Sequence, residues 1–324
     1  MRIIFMGTPE FAVASLDAII KAGHDVAAVV TMPDKPAGRG LKIQKSAVKL
    51  YAEEHGLKVL QPEKLKDEAF IEELRSLNAD LQVVVAFRML PEMVWNMPPL
   101  GTYNVHGSLL PRYRGAAPIN WAIMNGDTTT GVTTFKLTHE IDTGDLALSR
   151  EISILESDNA GTIHDKLMAE GAIAIVETLE RVANNTLQLK PQSQDGILEY
   201  QHQAPKIFKE DMKIDWGMGL KKITDKIRGL SPYPAAWTDV KLPGKKEGES
   251  FKIFAGIGLN LNKALKPGEV YIDKKQEILA IATGEENKFY QVTELQLAGK
   301  KRMDVKTYLN GIHIDGDVWT STEC

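Results

Sequence analysis

The chain has 324 residues, 43% hydrophobic and 25% charged, with 39 Lys and Arg against 43 Asp and Glu for a net charge of -4 and a single cysteine, Cys324. That length favours two domains, and the balance is that of soluble globular proteins, which excludes disordered, collagen-like and membrane classes. A lone terminal cysteine excludes an internal disulfide framework and a cysteine-based metal site, and the opening MRIIFMGTPE carries no apolar signal core, so a cytoplasmic protein is expected.

The net charge averages over two unlike parts. Residues 1–205 hold 19 basic against 26 acidic side chains, a balance of -7, whereas residues 206–306 hold 20 against 14, a balance of +6. A basic segment fused to an acidic one points towards a nucleic-acid partner.

In chain order, Arg2 to Met6 reads as a short apolar strand. Gly7-Thr8-Pro9-Glu10 then opens a helix, with Thr8 suited to the N-cap and Pro9 to the first helical position. DVAAVVT (25–31) and DLQVVVAF (80–87) are further buried strands, with the helical pattern DEAFIEELRSL (67–77) between them. Continuous apolar strands alternating with helices imply a mainly parallel sheet covered on both faces, with ligands beyond the carboxyl ends of its strands. GTPEF lacks the three-glycine fingerprint and the P-loop lysine, so neither dinucleotide nor ATP binding is expected there. Gly101 to His106 is another strand, Gly131 to Thr138 a further one, and Thr162 to about Ala183 a helix. The polar stretch Asn184 to Pro205 reads as a linker. This divides the chain into a first domain over 1–188, a connector over 189–207 and a second domain over 208–324. In the second, a helix near Leu220 to Arg228 and the short alternating strands FKIFAG, EVYIDKKQEILAIAT and FYQVTELQL fit a small antiparallel β-barrel.

Asn104 and His106 stand two residues apart at a strand end, so both side chains face one side. An amide and an imidazole converging on one point suit the oxygen of a carbonyl under attack. Asp142, followed by Thr143-Gly144-Asp145, is placed to accept from the imidazole, fix its tautomer or help move a proton. Together they describe acyl transfer without a covalent enzyme intermediate. Ser108 lies in no GxSxG elbow, and His139, three residues before Asp142, competes with His106 for the same role. No histidine and carboxylate spacing suggests a metal, and none is expected.

The run NVHGSLLPRYRGAAPI (104–119), with VVAF (84–87) before it and DTGD (142–145) after it, resembles the signature of enzymes that use 10-formyltetrahydrofolate as formyl donor. The layout from RIIFMGTPEFA through PDKPAGRG to KIDW is similar to that of the methionyl-tRNA formyltransferases within this family. The resemblance implies a Rossmann-like N-terminal catalytic domain and an OB-like C-terminal barrel that touches tRNA. It implies catalytic residues at Asn104, His106 and Asp142. It also implies a pterin site built from Val85, Ala86, Phe87, Arg88, Met89 and Leu90, from Ser108, Leu109, Leu110 and Pro111, and from Asp142. The chain departs from the pattern after the aromatic of VVAF, where the family commonly has glycine and this sequence has Arg88. The implied reaction moves a formyl group from 10-formyltetrahydrofolate to the α-amino group of methionine on initiator methionyl-tRNA, with no metal and no membrane, in a chain expected to be a monomer.

The stretch 31–49 holds Lys35, Arg39, Lys42, Lys45 and Lys49 against one acid, Asp34. In the family this loop approaches the acceptor end of the tRNA, which makes Arg39, Lys35, Lys42 and Lys45 candidate contacts. Lys206 and Lys209 are candidates at the start of the basic domain, whereas Trp216 and Trp237 are expected to pack rather than to stack on bases. Amino-sugar nucleotide formyltransferases share the donor chemistry and the HGSLLP turn; the basic loop and the +6 domain favour tRNA over a sugar acceptor.

Overall fold

The protein is described by a computed structural model covering residues 1–37, 42–192, 203–240, 248–312 and 318–321. It forms two compact units, one of Met1–Pro118, Thr129–Ser153 and His164–Ala204, the other of Ile119–Thr128, Ile154–Ile163 and Pro205–Cys324.

The strands of the first unit are β1 (Arg2–Gly7), β2 (Asp25–Val30), β3 (Lys35–Ala37), β4 (Lys42–Gln44), β5 (Val59–Leu60), β6 (Leu81–Val85), β7 (Thr102–His106), β8 (Thr129–Lys136) and β9 (Leu146–Ser153). The helices in this stretch are α1 (Glu10–Lys21), α2 (Ala47–Glu54), α3 (Glu68–Ser76), α4 (Glu92–Trp95), α5 (Pro118–Met124) and α6 (Ala160–Ala183). Seven strands form one sheet in the order β5-β2-β1-β6-β7-β8-β9, while β3 and β4 pair as a separate hairpin. The chain adds β2 and β5 on one side of β1 and returns to add β6 and β7 on the other. The topological switch therefore lies between β1 and β6, where Gly7 is in register with Val85.

Strands β5 to β7 along this order are parallel, as expected, but β7, β8 and β9 run antiparallel. Only nine residues separate Lys136 from Leu146, and a parallel crossover needs a dozen or more. Period-two alternation sends Ile4 and Met6 into a core with Phe70, Ile71, Leu74 and Val94, while Ile3 and Phe5, also fully buried, face the opposite layer. Asp67 caps α3 by accepting from the Phe70 N–H at 3.2 Å. The expected Thr8 cap is not made. Pro9, extended at φ -82 and ψ 177, holds the N-cap position of α1, so the helix begins at Glu10 without a side-chain cap. On β7, a Cβ at Gly171 of α6 would lie 3.0 Å from Val105 Cγ1. Val105 thus faces α6, and alternation turns Asn104 and His106 to the other side of the sheet.

In the second unit an antiparallel sheet runs β10-β11-β14-β13-β12-β16, with β15 paired to β14. Its strands are β10 (Ala236–Val240), β11 (Glu249–Asn260), β12 (Glu269–Asp273), β13 (Ile278–Ala282), β14 (Lys288–Leu297), β15 (Met303–Asp304) and β16 (Val318–Ser321). The strands expected at FKIFAG and FYQVTELQL are β11 and β14, and EVYIDKKQEILAIAT is the hairpin β12-β13. Register shifts near Ala255 interrupt the long β11-β14 ladder and bend it over its core. That core contains Trp216, Ile227, Phe251, Tyr290, Val292 and Tyr308. The helix Leu220–Leu230 supplies Ile223 and Ile227 from one face.

Candidate active site

β7 ends in the position that a parallel sheet reserves for ligands, and it carries Asn104 and His106 there. Asn104 is half-buried, and its amide makes no hydrogen bond among the described residues. His106 is only 7% exposed, with its ring edge-on to Phe135 at 6.5 Å between centroids. Its Nε2 lies 2.8 Å from the carbonyl oxygen of Tyr113. A carbonyl only accepts, so Nε2 carries the proton. In the neutral ring Nδ1 then holds a lone pair.

That Nδ1 points towards Asp142, whose Oδ2 is 3.8 Å away, too far for a hydrogen bond. Of the two tasks open to Asp142 from the sequence, fixing the tautomer or helping to move a proton, the first falls to the Tyr113 carbonyl, because the turn after β7 folds back over the ring. Tyr113 adopts φ 61 and Asp142 φ 55, both in the left-handed region that L-residues seldom occupy. Asp142 is fixed by the Gly115 N–H, which donates to Oδ2 at 2.9 Å. The side chain of Gln192 donates to the main-chain oxygens of Asp142 and Gly144, each at 2.8 Å. His139, the competing histidine, is turned away. It lies 3.3 Å from Glu92 on α4 and edge-on to Trp95, and is mostly exposed.

The two segments expected to hold the pterin meet the same region. Val85 ends β6 beside Gly7, Ala86 is exposed with φ 46, and Met89 is 70% exposed while Leu90 is buried. The left-handed residue after β6 is therefore Ala86, and Arg88, at the position where the resemblance led to an expectation of glycine, has no positive φ. Its guanidinium instead turns back to donate to the carbonyls of Pro62 and Glu63, stands 5.7 Å from the Phe87 ring centroid, and has its pKa pushed down by burial. In the second segment Ser108 is fully buried and donates to the Arg112 carbonyl at 2.6 Å, which removes it as a nucleophile. Thr133 on β8 ties the turn by donating to the Ser108 carbonyl and accepting from the Leu110 N–H. Leu109 packs where a Cβ on Gly131 would stand, 2.5 Å from Leu109 Cδ2, so that strand position needs glycine. The Leu110-Pro111 peptide is cis.

Arg112 and Arg114, flanking Tyr113, are expected from the sequence either to order this turn or to meet phosphate, and Arg114 is engaged with Gln192 within it. The main-chain roles of Tyr113 and Gly115 were not legible, and nothing local pointed to Gln192, which lies within the stretch read as linker. Among the described residues no group of three or more His, Cys, Asp or Glu could hold a metal ion, and no helix is long and apolar enough to cross a membrane.

Of the cationic candidates, Lys35 is exposed on β3, and Lys45 is paired with Glu53 at 2.7 Å. Lys42 begins β4; Arg39 lies outside the described residues. Lys206 and Lys209 are exposed, the first 5.6 Å from the Phe208 ring centroid and the second 5.6 Å from that of Trp237. Trp216 is buried, donating to Thr238 at 3.0 Å. Trp237 is only half-buried, and its indole N–H donates to the Lys209 carbonyl at 3.0 Å.

The "Formyl transferase" family model matches residues 1–179 and the "Formyl transferase, C-terminal domain" model residues 206–313. A methionyl-tRNA formyltransferase of Bacteroides fragilis is 51% identical over 317 residues, 97% of this chain and 96% of that protein. Another, of Parabacteroides distasonis, is 53% identical over 316 residues, 96% of this chain and 95% of that protein. Among solved structures, HypX from Aquifex aeolicus in complex with tetrahydrofolic acid superposes with a TM-score of 0.61 at 21% identity, covering 95% of this chain and 47% of that one. The chain thus spans about half the length of HypX. An N-formyltransferase from Helicobacter canadensis, in complex with folinic acid and dTDP-3-aminofucose, superposes at 0.62 with 20% identity over 90% of this chain and 98% of that one. These two likenesses establish the fold. The two family models and the identity over nearly the full length establish more: this chain belongs to the formyl transferase family and, within it, to the methionyl-tRNA formyltransferases.

Proposed function

We propose that Asn104, His106 and Asp142 carry the formyl transfer by which this enzyme moves the formyl group of 10-formyltetrahydrofolate to the α-amino group of methionine on initiator methionyl-tRNA. The product is N-formylmethionyl-tRNA, used to start translation in the cytoplasm. The observation that supports these roles is the convergence of an unengaged amide, a tautomer-fixed imidazole and a carboxylate at the end of β7.

The reaction forms a bond from the α-amino nitrogen to the formyl carbon and breaks the bond from that carbon to the folate nitrogen. Asn104 has a free N–H to offer the formyl oxygen as it gains negative charge, a term worth about 2.7–4 kcal/mol in comparable sites. His106 offers Nδ1 as the base for the proton lost by the attacking amine. The resulting imidazolium has the Asp142 carboxylate 3.8 Å away to stabilise it. The same Nδ1 then returns the proton to the departing nitrogen. The roles expected from sequence, two donors on one oxygen, thereby separate into a donor and a proton carrier.

The exposed backbone around Ala86 and the ordered Ser108 to Pro111 turn suit a planar, hydrogen-bonding pterin, since backbone donors and acceptors there have fixed directions. On the acceptor side we assign tRNA contact to Lys35, Arg39, Lys42 and Lys45 of the first unit and to Lys206 and Lys209 of the second. The exposure of Lys206 and Lys209 beside Phe208 and Trp237 supports this.

The test is an acceptor assay. Purified protein with 10-formyltetrahydrofolate is offered charged initiator methionyl-tRNA or a dTDP-amino sugar, and product is followed by mass. Formylation of the tRNA alone is expected; modification of the sugar alone would overturn the acceptor assignment.

A further inference from the structure

The stretch from Asn184 to Pro205 is polar and aperiodic, yet its described ends are stitched to the two loops that build the site. Lys190 exchanges both main-chain hydrogen bonds with Leu146, which begins β9 just after the Asp142 loop, at 2.9 and 2.7 Å. Ala204 donates to the Arg114 carbonyl at 2.8 Å and accepts from the N–H groups of Ala116 and Ala117 at 2.7 and 3.1 Å. Between these ties stands Gln192, a residue only 9% exposed although it is neither charged nor catalytic by type.

Every hydrogen-bonding position of that amide is used. Both N–H groups go to carbonyl oxygens, those of Asp142 and Gly144, and the amide oxygen accepts from Nε and Nη2 of Arg114. The orientation is unambiguous: a guanidinium only donates and carbonyls only accept, so a flipped amide would oppose all four contacts. The turn it holds is strained at Asp142, with φ 55. It is also crowded at Gly144, where a Cβ would lie 1.7 Å from the Lys136 carbonyl oxygen. A left-handed non-glycine residue persists only where its surroundings over-determine it. Gln192 is the side chain that satisfies the two carbonyls such a turn exposes.

We propose that Gln192, itself oriented by Arg114, is a positioning residue that holds the Asp142 turn so that the carboxylate stays on the Gly115 N–H and opposite Nδ1 of His106. The proposal rests on the assignment of Asp142 to catalysis above. It makes the connector part of the catalytic geometry.

The experiment is a double-mutant cycle on the full-length enzyme, with kcat, KM for methionyl-tRNA and thermal midpoint measured for D142N, Q192E and the pair. Gln192→Glu keeps the shape and the acceptor towards Arg114 but loses both donors. It should lower kcat about 10–100-fold with KM little changed, and in the D142N background it should cause no further fall. Gln192→Met, a neutral side chain of similar length, gives the same reading if the glutamate variant does not fold. Independent, multiplying losses in the pair, unaltered kcat in both Gln192 variants, or losses that follow the thermal midpoint alone would each overturn the proposal. Full activity in D142N would instead remove the role of Asp142, and the positioning role with it.

Discussion

Nε2 of His106 donates to the main-chain carbonyl of Tyr113 at 2.8 Å, leaving Nδ1 of the same ring turned towards Oδ2 of Asp142 at 3.8 Å. One nitrogen is therefore structural and the other chemical. In the neutral ring Nδ1 is a base, and only as a cation does the ring have a second N–H to give.

The first prediction is spectroscopic. Nitrogen-15 correlation spectra of the histidine rings should show neutral His106 with a protonated Nε2 and a bare Nδ1. A neutral ring protonated at Nδ1 would contradict the assignment of the proton carrier, since that nitrogen would then have no lone pair for the amine proton.

A second prediction concerns the turn. Gly144→Ala forces its new methyl against the Lys136 carbonyl, with 1.7 Å where real contacts require more than 3.0 Å. The turn must shift, and overpacking of this kind costs about 1–3 kcal/mol. The urea midpoint should fall accordingly and formylation should slow, because Asp142 lies in the same turn. An unchanged midpoint would mean that the loop adapts freely.

A third concerns the acceptor. If Lys206 and Lys209 meet phosphates, replacing each with alanine should raise KM for methionyl-tRNA and reduce the slope of log KM against log salt by about 1 per lysine. The KM for 10-formyltetrahydrofolate should not move. An unaltered salt slope would place the tRNA elsewhere.

Much of this architecture was legible because it is written in local pattern. The two-residue spacing of Asn104 and His106 put both on one side of β7, and the continuous apolar runs at 25–31 and 80–87 became β2 and β6. What was not legible is what depends on distant or main-chain partners. Arg114 and Gln192 are 78 positions apart, and neither period nor composition links them. The atom that fixes the His106 tautomer is a carbonyl, which every residue possesses; only the fold of Tyr113 into a left-handed conformation aims it. Thr8 had the right chemistry for a cap, but the extended Pro9 took the position and shifted the helix by one residue. The antiparallel turn from β8 to β9 follows from a connection of nine residues, a length that the sequence held but that strand pattern alone did not weigh.

The most direct test of the catalytic assignment is a single-turnover measurement of formyl transfer in Asn104→Ala, His106→Ala and Asp142→Ala, with methionyl-tRNA binding measured separately on each variant. Transfer should slow in all three, by about 10²–10³ for Asn104, while the Kd for methionyl-tRNA stays that of the unsubstituted enzyme. Undiminished transfer in any of the three, or a loss of tRNA binding as large as the loss of rate, would contradict it.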